Sequence, residues 1–230
     1  TGGSKLRKMT FQERGRMIKA LALHLLTLKA KYYEVSAWTG ATKVDSWIDI
    51  EGGFGNLFAN ASLRKQFPDL PYYVDGVAAP LSKEGSFIGH HIMVPKEGVA
   101  VHINAFNFPV WGMLEKLAPT LLAGMPAIVK PATSTCYVAE ACVRMMLESG
   151  LLPKGAVQLV SGGLGDMLDR LKTQDAVAFT GSADTALMLR SAPNIVENGI
   201  RFASEQDSLN ASILGPDAKP NTPEFDLFIK

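Results

Sequence analysis

The chain has 230 residues, of which 47% are hydrophobic and 20% charged, and its formal net charge is +1. This composition is ordinary for a folded globular protein and excludes disordered or collagen-like chains. The balanced charge argues against a nucleic-acid partner. The longest apolar stretch, residues 118–129, is too short to cross a membrane. Two cysteines and the lack of a signal-peptide pattern predict a cytoplasmic location.

The first third of the sequence predicts helices. Thr10 and Glu13 have the spacing of a capping box, in which a hydroxyl and a carboxylate satisfy each other's free backbone donors. Apolar residues then recur at helical spacing, namely Met17, Leu21, Leu25 and Leu28. We expect a second helix over residues 33–38 and a third helix that begins near Asp45.

Residues 69–98 have a different character, because prolines separate two candidate strands at 71–75 and 86–94. The second candidate strand alternates in hydrophobicity. We expect these strands to form an exposed ribbon outside the main sheet. His90 and His91 are adjacent on the second strand, so they point in opposite directions and cannot chelate a metal together. The sequence therefore predicts no metal site.

From residue 99 onward, short apolar strands alternate with helical segments. The predicted strands are 99–103, 127–129, 156–160 and 176–179, and the predicted helices are 110–122, 136–148, 166–171 and 183–190. Nearly continuous apolar strands separated by helices are typical of a parallel sheet that is covered on both faces. The fold class predicted is α/β: a Rossmann-like parallel sheet with helices on both faces, plus a small β-ribbon excursion.

The residues that follow the predicted strands are polar or glycine-rich. They are Asn104–Pro109, Lys130–Thr135, Ser161–Gly165 and Thr180–Ser182. Each segment leads into a helix N-terminus, where free amides attract anions, and ligands of such sheets lie beyond the carboxyl ends of the strands. Four such turns on one edge would form a nucleotide cleft. Each is weak by itself, since Lys130 alone is equally consistent with a solvated lysine and Asn107 alone with a helix cap.

Taken in order, these segments resemble the aldehyde dehydrogenase superfamily. The resemblance rests on FNFP at 106–109, KPAT at 130–133, FTGS at 179–182 and the later Glu205, and it runs from about Met9 to Lys230. The segments TGATKVDSWIDIEGG, VHINAFNFPVWGMLEKLAP and SEQDSLN are most similar to one branch of that family. This branch oxidises semialdehydes of CoA thioesters in the aerobic degradation of aromatic acids, including phenylacetate.

The resemblance implies a role for each matching residue. It makes Asn107 the amide that stabilises the oxyanion and Glu205 the general base that activates the deacylating water. It also implies a set of cofactor-binding residues, of which Asn104 and Gly163 are the weaker assignments. The set comprises Asn104, Phe106, Lys130, Thr133, Gly163, Gly181 and Ser182.

Three departures from the family pattern matter. The family usually has a glutamate at the position of Thr133, and its absence here favours NADP over NAD, although NAD remains possible. The residues after Glu205 do not follow the usual E-L-G-G-K pattern, which leaves Asp207 as a rival base. The nucleophilic cysteine is expected beyond Lys230, and Cys136 and Cys142 are poor substitutes, so we expect this chain alone to be inactive.

These inferences divide the chain into three parts. Residues 1–68 and 99–212 are expected to form the dinucleotide-binding domain, residues 69–98 an oligomerisation-type β excursion, and residues 213–230 the start of a truncated catalytic domain. We expect the complete protein to be a homo-oligomer that oxidises a small aldehyde, with a CoA thioester as a candidate substrate. Two alternatives remain: a non-catalytic nucleotide-binding module or regulatory remnant, and a doubly wound protein that binds another phosphate ligand.

Overall fold

Four helices make up most of the first third of the chain in the computed structural model, which describes residues 2–207 and 211–229. They are α1 (Gly2–Lys8), α2 (Phe11–Thr27), α3 (Lys29–Ala37) and α4 (Lys43–Ser62). The predicted capping box is confirmed, because the Thr10 hydroxyl accepts from the Glu13 backbone N–H and the Glu13 carboxylate accepts from that of Thr10. A second capping box, formed by Thr42 and Asp45, begins α4.

A two-stranded antiparallel ribbon follows, as the sequence predicts for this part of the chain. Its strands are β1 (Tyr73–Pro80) and β2 (Ile88–Met93). The first strand extends five residues beyond the predicted one, with a register shift between Asp75 and Ala79. Nearly all side chains of both strands are exposed. The expected role of this ribbon in oligomerisation stays a prediction.

The remaining strands form one five-stranded parallel sheet. They are β3 (Ala100–Ile103), β4 (Ala127–Lys130), β5 (Val157–Leu159), β6 (Ala176–Gly181) and β7 (Arg201–Gln206), and their order in the sheet is β5-β4-β3-β6-β7. The first four confirm the predicted strands. Strand β7 is absent from the sequence prediction because its composition, RFASEQ, is mostly polar. An edge strand with exposed side chains tolerates such a sequence.

Helices connect the strands, with one departure from the prediction. The helices are α5 (Trp111–Leu122), α6 (Cys136–Glu148), α7 (Ala183–Arg190), α8 (Pro193–Glu197) and α9 (Pro223–Ile229). The predicted helix at 166–171 is wrong, since only a 3-10 turn, Leu168–Arg170, forms there. This segment is too short to offset the cost of helix nucleation without a broad buried face, and none of the residues in the turn is buried.

The sheet is covered on both faces, which confirms the predicted layers. On one face, α2, α4, α5 and α6 pack into a core that includes Ala127 and Val129. On the other face, residues of α7 and α8 pack against Val101 and Val177. In the part of the chain that the structure describes, no helix is long and apolar enough to span a membrane.

The strand order creates a crevice between β3 and β6. The chain runs from β3 outward through β4 to β5, and then returns to the other side of β3 with β6 and β7. In an open parallel sheet, ligands bind at the carboxyl ends of the strands where the order reverses in this way. The loops after β3 and β6 therefore flank the expected binding crevice.

Candidate functional site

Three polar residues form a row across neighbouring strand ends. Residue pairing places Thr180 of β6 beside Glu205 of β7, and Ile103 of β3 beside Phe179 of β6. Asn104 directly follows β3 and continues this row. Because side chains alternate along a strand, we infer that Thr180 and Glu205 share the face of the sheet on which α5 packs.

A cavity of about 300 Å³ opens at this end of the sheet. Its walls are formed by Ile48, Ala105, Asn107, Phe108, Trp111, Gly112, Glu115, Thr180 and Glu205. The structure thus brings together the two residues proposed as catalytic from the sequence, one from the loop after β3 and one from β7. An amide donor and a carboxylate that face one cavity can stabilise an oxyanion and accept a proton from water.

The loop that carries Asn107 is fixed by a carboxylate from a distant helix. Val110, the N-cap residue of α5, offers no side-chain cap. Asp49 of α4 supplies one instead: its Oδ1 accepts from the backbone N–H groups of Val110 at 3.0 Å and of Trp111 at 2.7 Å. Burial raises the pKa of Asp49 to about 6, although the two backbone hydrogen bonds act in the opposite direction.

Two glycines of α4 allow the close approach of α5. A Cβ at Gly52 would lie 2.2 Å from the Trp111 ring, and one at Gly53 would lie 3.1 Å from the Trp111 backbone N. This contact surface was not predicted from the sequence. The signal available was Asp49 itself, a charged residue within the helical stripe that also carries Ile50, and a buried charge of this kind needs partners.

Asp207, the rival base, has a different function in this geometry. It lies just past β7 with a φ of 52°, and its Oδ1 accepts from the backbone N–H of Ala183 at 3.2 Å. It therefore caps α7 and does not line the cavity. This placement favours Glu205 as the base, and its catalytic role stays a prediction. Ser208–Asn210 of the SEQDSLN segment lie outside the described residues.

The crevice contains polar atoms that suit a bound dinucleotide. Asn104 is 4% exposed, and neither atom of its side-chain amide has a hydrogen-bond partner among the described residues. The Thr180 hydroxyl is buried and lacks a partner in the same set. Unpartnered buried polar groups are costly, so a ligand that supplies their hydrogen bonds would be stabilised here.

The other predicted cofactor contacts lie at the carboxyl ends of β3–β6. Phe106 is 64% exposed, and its carbonyl accepts from the Thr135 hydroxyl at 3.0 Å, which joins the loops after β3 and β4. Lys130 ends β4 and Thr133 is exposed at the start of the next turn. Thr135 is therefore engaged with protein, whereas Thr133 remains accessible.

The glycine-rich turns are open, with one exception. A Cβ at Gly163 would meet nothing within 4 Å, which leaves room for a ligand. At Gly181 a Cβ would lie 2.5 Å from the ring of Phe179, so the glycine serves local packing as well. The Ser182 hydroxyl caps α7 by accepting from the backbone N–H of Thr185. Its engagement as a cap is the common role of serine at this position.

Neither cysteine belongs to the cavity. Cys142 is fully buried in α6, and burial raises the pKa of its thiol to about 12, which suppresses the nucleophilic thiolate. Cys136 is the first residue of α6 and does not line the cavity either. Across residues 2–207 and 211–229, no group of three or more His, Cys, Asp or Glu residues is arranged to hold a metal ion.

Comparison with known proteins gives the family. The model of the aldehyde dehydrogenase family matches residues 2–222. This chain belongs to the aldehyde dehydrogenase family. A 3,4-dehydroadipyl-CoA semialdehyde dehydrogenase of Aromatoleum evansii is 44% identical over 230 residues, which are 100% of this chain and 45% of that protein. An N-succinylglutamate 5-semialdehyde dehydrogenase of Escherichia coli is 29% identical over 191 residues, 79% of this chain and 35% of its own length.

Solved structures of aldehyde dehydrogenases share the fold. A succinic semialdehyde dehydrogenase of Streptococcus pyogenes, in complex with NADP+, superposes with a TM-score of 0.72 at 18% identity and covers 89% of this chain and 43% of that one. An NAD-dependent benzaldehyde dehydrogenase of Corynebacterium glutamicum has a TM-score of 0.70 at 20% identity, with 88% and 43% covered. The chain thus spans less than half the length of these aldehyde dehydrogenases.

Proposed function

We propose that the protein to which these 230 residues belong oxidises a CoA-linked semialdehyde to the acid, with NADP as the hydride acceptor. One observation carries the proposal: Asn107 and Glu205 face a single cavity at the crevice between β3 and β6. Similarity of all 230 residues to 45% of the length of a 3,4-dehydroadipyl-CoA semialdehyde dehydrogenase supports the substrate class. The same similarity motivates a place in the catabolism of aromatic compounds.

Asn107 and Glu205 would act at successive steps. A thiolate adds to the aldehyde carbon to give a thiohemiacetal, and the side-chain N–H of Asn107 stabilises the negative charge on its oxygen. Removal of one such donor costs about 3–4 kcal/mol of transition-state stabilisation. After oxidation to the thioester, Glu205 accepts a proton from the water that attacks it, and the acid leaves as the thiolate is restored.

The thiolate is proposed to come from a cysteine beyond residue 230. Both cysteines of this chain lie on α6, and neither lines the cavity that holds Asn107. Cys142 is also held as a thiol, because burial raises its pKa. In this arrangement the 230 residues provide the oxyanion donor, the base and the cofactor crevice, and residues 213–230 begin the part that supplies the nucleophile.

The cofactor crevice would use the strand-end residues. Asn104 and Thr180 offer unpartnered buried groups, and Lys130 offers the positive charge at the end of β4. The proposed contacts also include Phe106, Thr133, Gly163, Gly181 and Ser182. When bound, the nicotinamide supplies the acceptor for the hydride. Thr133 at the family's usual glutamate position is the reason to propose NADP in preference to NAD.

The proposal also includes the oligomeric state and the cellular location of the complete protein. The ribbon exposes large apolar side chains, with Val77 89%, Ile88 58% and Ile92 55% exposed. Exposed apolar surface of this kind is typical of a protein interface, and it supports a homo-oligomer. Both cysteines are free thiols in the structure, which fits a cytoplasmic location.

The test is an assay of the full-length protein with a CoA-linked semialdehyde, in which the reduced cofactor and the acid product are both measured. We expect turnover with NADP, a loss of about 10²–10³ in kcat for Asn107→Ala, and no turnover by the 230-residue chain alone. Failure of the full-length protein to oxidise any aldehyde would overturn the proposal. Turnover by the chain alone that disappears in Cys136→Ala would place the nucleophile on α6 instead.

A further inference from the structure

Glu115 forms part of the wall between two cavities. It lines the cavity that contains Asn107 and Glu205, and it also lines a second cavity on the same face of the sheet, beside His102 and Lys116. Glu115 lies on α5, one turn after Trp111. Asp49 caps the N-terminus of the same helix. Its position next to the proposed reaction site makes its charge relevant to the substrate.

The orientation of the Glu115 carboxylate is fixed by two donors. The indole Nε1–H of Trp111 donates to Oε2 at 3.1 Å, and Nζ of Lys116 donates to Oε1 at 3.0 Å. The Trp111 ring packs against Gly52, which leaves it no room to move toward α4. Lys116 is held in turn by the carbonyl of Gly112 at 3.0 Å. These contacts therefore hold the Glu115 carboxylate in one orientation.

The charge that faces the first cavity is negative. Glu115 and Glu205 both line it, and the described residues of its wall include no Lys, Arg or His. Lys116, the partner of Glu115, has a side chain that is only 11% exposed and lines the second cavity instead. Lys116 therefore offsets the charge of Glu115 from the side of the second cavity. It presents no cation to a substrate in the first cavity. A substrate group close to the two carboxylates is favoured when it carries no negative charge.

We propose that Glu115 is a specificity-determining residue that admits aldehydes whose chain is uncharged within the first cavity and rejects those whose chain places a free carboxylate there. This inference rests on the proposed function and deepens it. A dicarboxylic semialdehyde carries such a carboxylate as the free acid, whereas the thioester of the same compound is neutral at that position. Glu115 thereby gives a physical reason for a thioester-linked substrate in place of the free semialdehyde acid.

The experiment compares two substrates in the full-length protein: a dicarboxylic semialdehyde as the free acid, and its N-acetylcysteamine thioester. We expect kcat/KM to favour the thioester by on the order of tenfold or more. Glu115→Gln keeps an oxygen that accepts from Trp111 and removes the charge. In this variant we expect the ratio to fall toward one, chiefly through a lower KM for the free acid.

Glu140→Gln is the matched control. Glu140 is also paired with a neighbouring cation, Arg144, at 3.1 Å, but it lies on α6 and does not line the cavity. We expect its substitution to leave the substrate ratio unchanged. Added salt supplies a test that needs no variant, because screening of the carboxylate should lower the ratio in the parent protein.

Each outcome decides the inference. A parent protein that oxidises both compounds equally well would overturn it, as would a ratio that Glu115→Gln leaves unchanged, even where salt lowers it, or that Glu140→Gln lowers to the same extent. A parent that oxidises neither compound but does oxidise the CoA-linked semialdehyde would overturn the inference alone, because recognition of CoA and not the charge at Glu115 would then select the substrate. A parent that oxidises none of the three would overturn the proposed function, and the inference would fall with it. A ratio that favours the thioester, falls in Glu115→Gln and persists in Glu140→Gln is the result that supports Glu115 as the determinant.

Discussion

The Asp49 carboxylate lies 2.7 Å from the backbone N of Trp111 and provides the N-terminal cap that α5 lacks in its own sequence. This hydrogen bond joins residues that are 62 positions apart. The helix dipole favours a negative charge at this end of α5, whereas burial disfavours it. The loop with Asn107 immediately precedes the capped turn, so the geometry of the candidate site depends on a residue from α4.

Asp49 gives the first prediction, which concerns pH. Its pKa is raised from 3.8 to about 6, mainly by burial, so the folded state binds its proton more tightly than the unfolded state does. The contribution of this bound proton to the free energy of unfolding is fully present below pH 3.8 and is lost as the pH rises to about 6. For a shift of about two units the loss is about 3 kcal/mol. Asp49→Asn should remove this loss, as measured by urea unfolding of the 230-residue chain at several pH values.

His102 gives the second prediction, with the opposite sign. Its ring is buried, and burial followed by the charge of Lys116 lowers its pKa from 6.5 to about 4. The folded state therefore favours the neutral ring. The contribution of His102 to the free energy of unfolding is fully present above pH 6.5 and is lost as the pH falls to about 4. Thr120 already donates its hydroxyl to the Lys116 carbonyl, so we infer that His102 Nε2–H donates to Thr120 Oγ1.

The two slopes should nearly cancel in the parent chain between about pH 4 and 6.5, because a His102 shift of about 2.5 units is also worth about 3 kcal/mol. Each variant should therefore show the pH dependence of stability that comes from the remaining residue. We expect stability to rise with pH in Asp49→Asn and to fall with pH in His102→Gln, which keeps a donor for Thr120. Slopes that are the same in both variants would contradict the burial argument for these two residues.

The sequence predicted the layers of the fold because apolar strands and helical stripes are local patterns. Asn107 and Glu205 were predicted through the resemblance of FNFP and the later Glu205 to the aldehyde dehydrogenases. Glu205 lies on β7, a strand that its mostly polar composition did not indicate. The sequence did not predict the Asp49 cap, since contacts between positions so far apart leave no local signal. Glu115 was not predicted for the same reason. In the sequence, Glu115 and Lys116 are typical of a solvated helix face, and only the structure shows that Glu115 lines two cavities.

Glu205→Gln in the full-length protein gives the third prediction. The substitution keeps the shape of the side chain and removes its basicity, so addition of the thiolate and the first hydride transfer should persist while hydrolysis slows. Rapid mixing should show a burst of reduced cofactor followed by a very slow steady state. Asp207→Asn is the control, because Asp207 caps α7 and should leave turnover nearly unchanged. Normal steady-state turnover in Glu205→Gln would place the base elsewhere.

The fourth prediction concerns the choice between NADP and NAD. Thr133 is exposed at the start of the turn after β4, three residues beyond Lys130. Its side chain makes no hydrogen bond within residues 2–207 and 211–229, so its hydroxyl is available to a ligand. A carboxylate at this position would accept from the ribose hydroxyls of NAD and would repel a 2′-phosphate, whereas Lys130 and the helix N-terminus favour the phosphate.

Thr133→Glu in the full-length protein should therefore weaken NADP much more than NAD. A close pair of like charges costs about 1–4 kcal/mol at the effective dielectric constants near a protein surface, and titration of each cofactor measures the difference directly. Thr133→Gln is the matched control, since it adds nearly the same volume without charge and should weaken both cofactors to a similar, smaller extent. The reading of Thr133 is wrong if Thr133→Glu weakens both cofactors equally, or if the parent protein already prefers NAD.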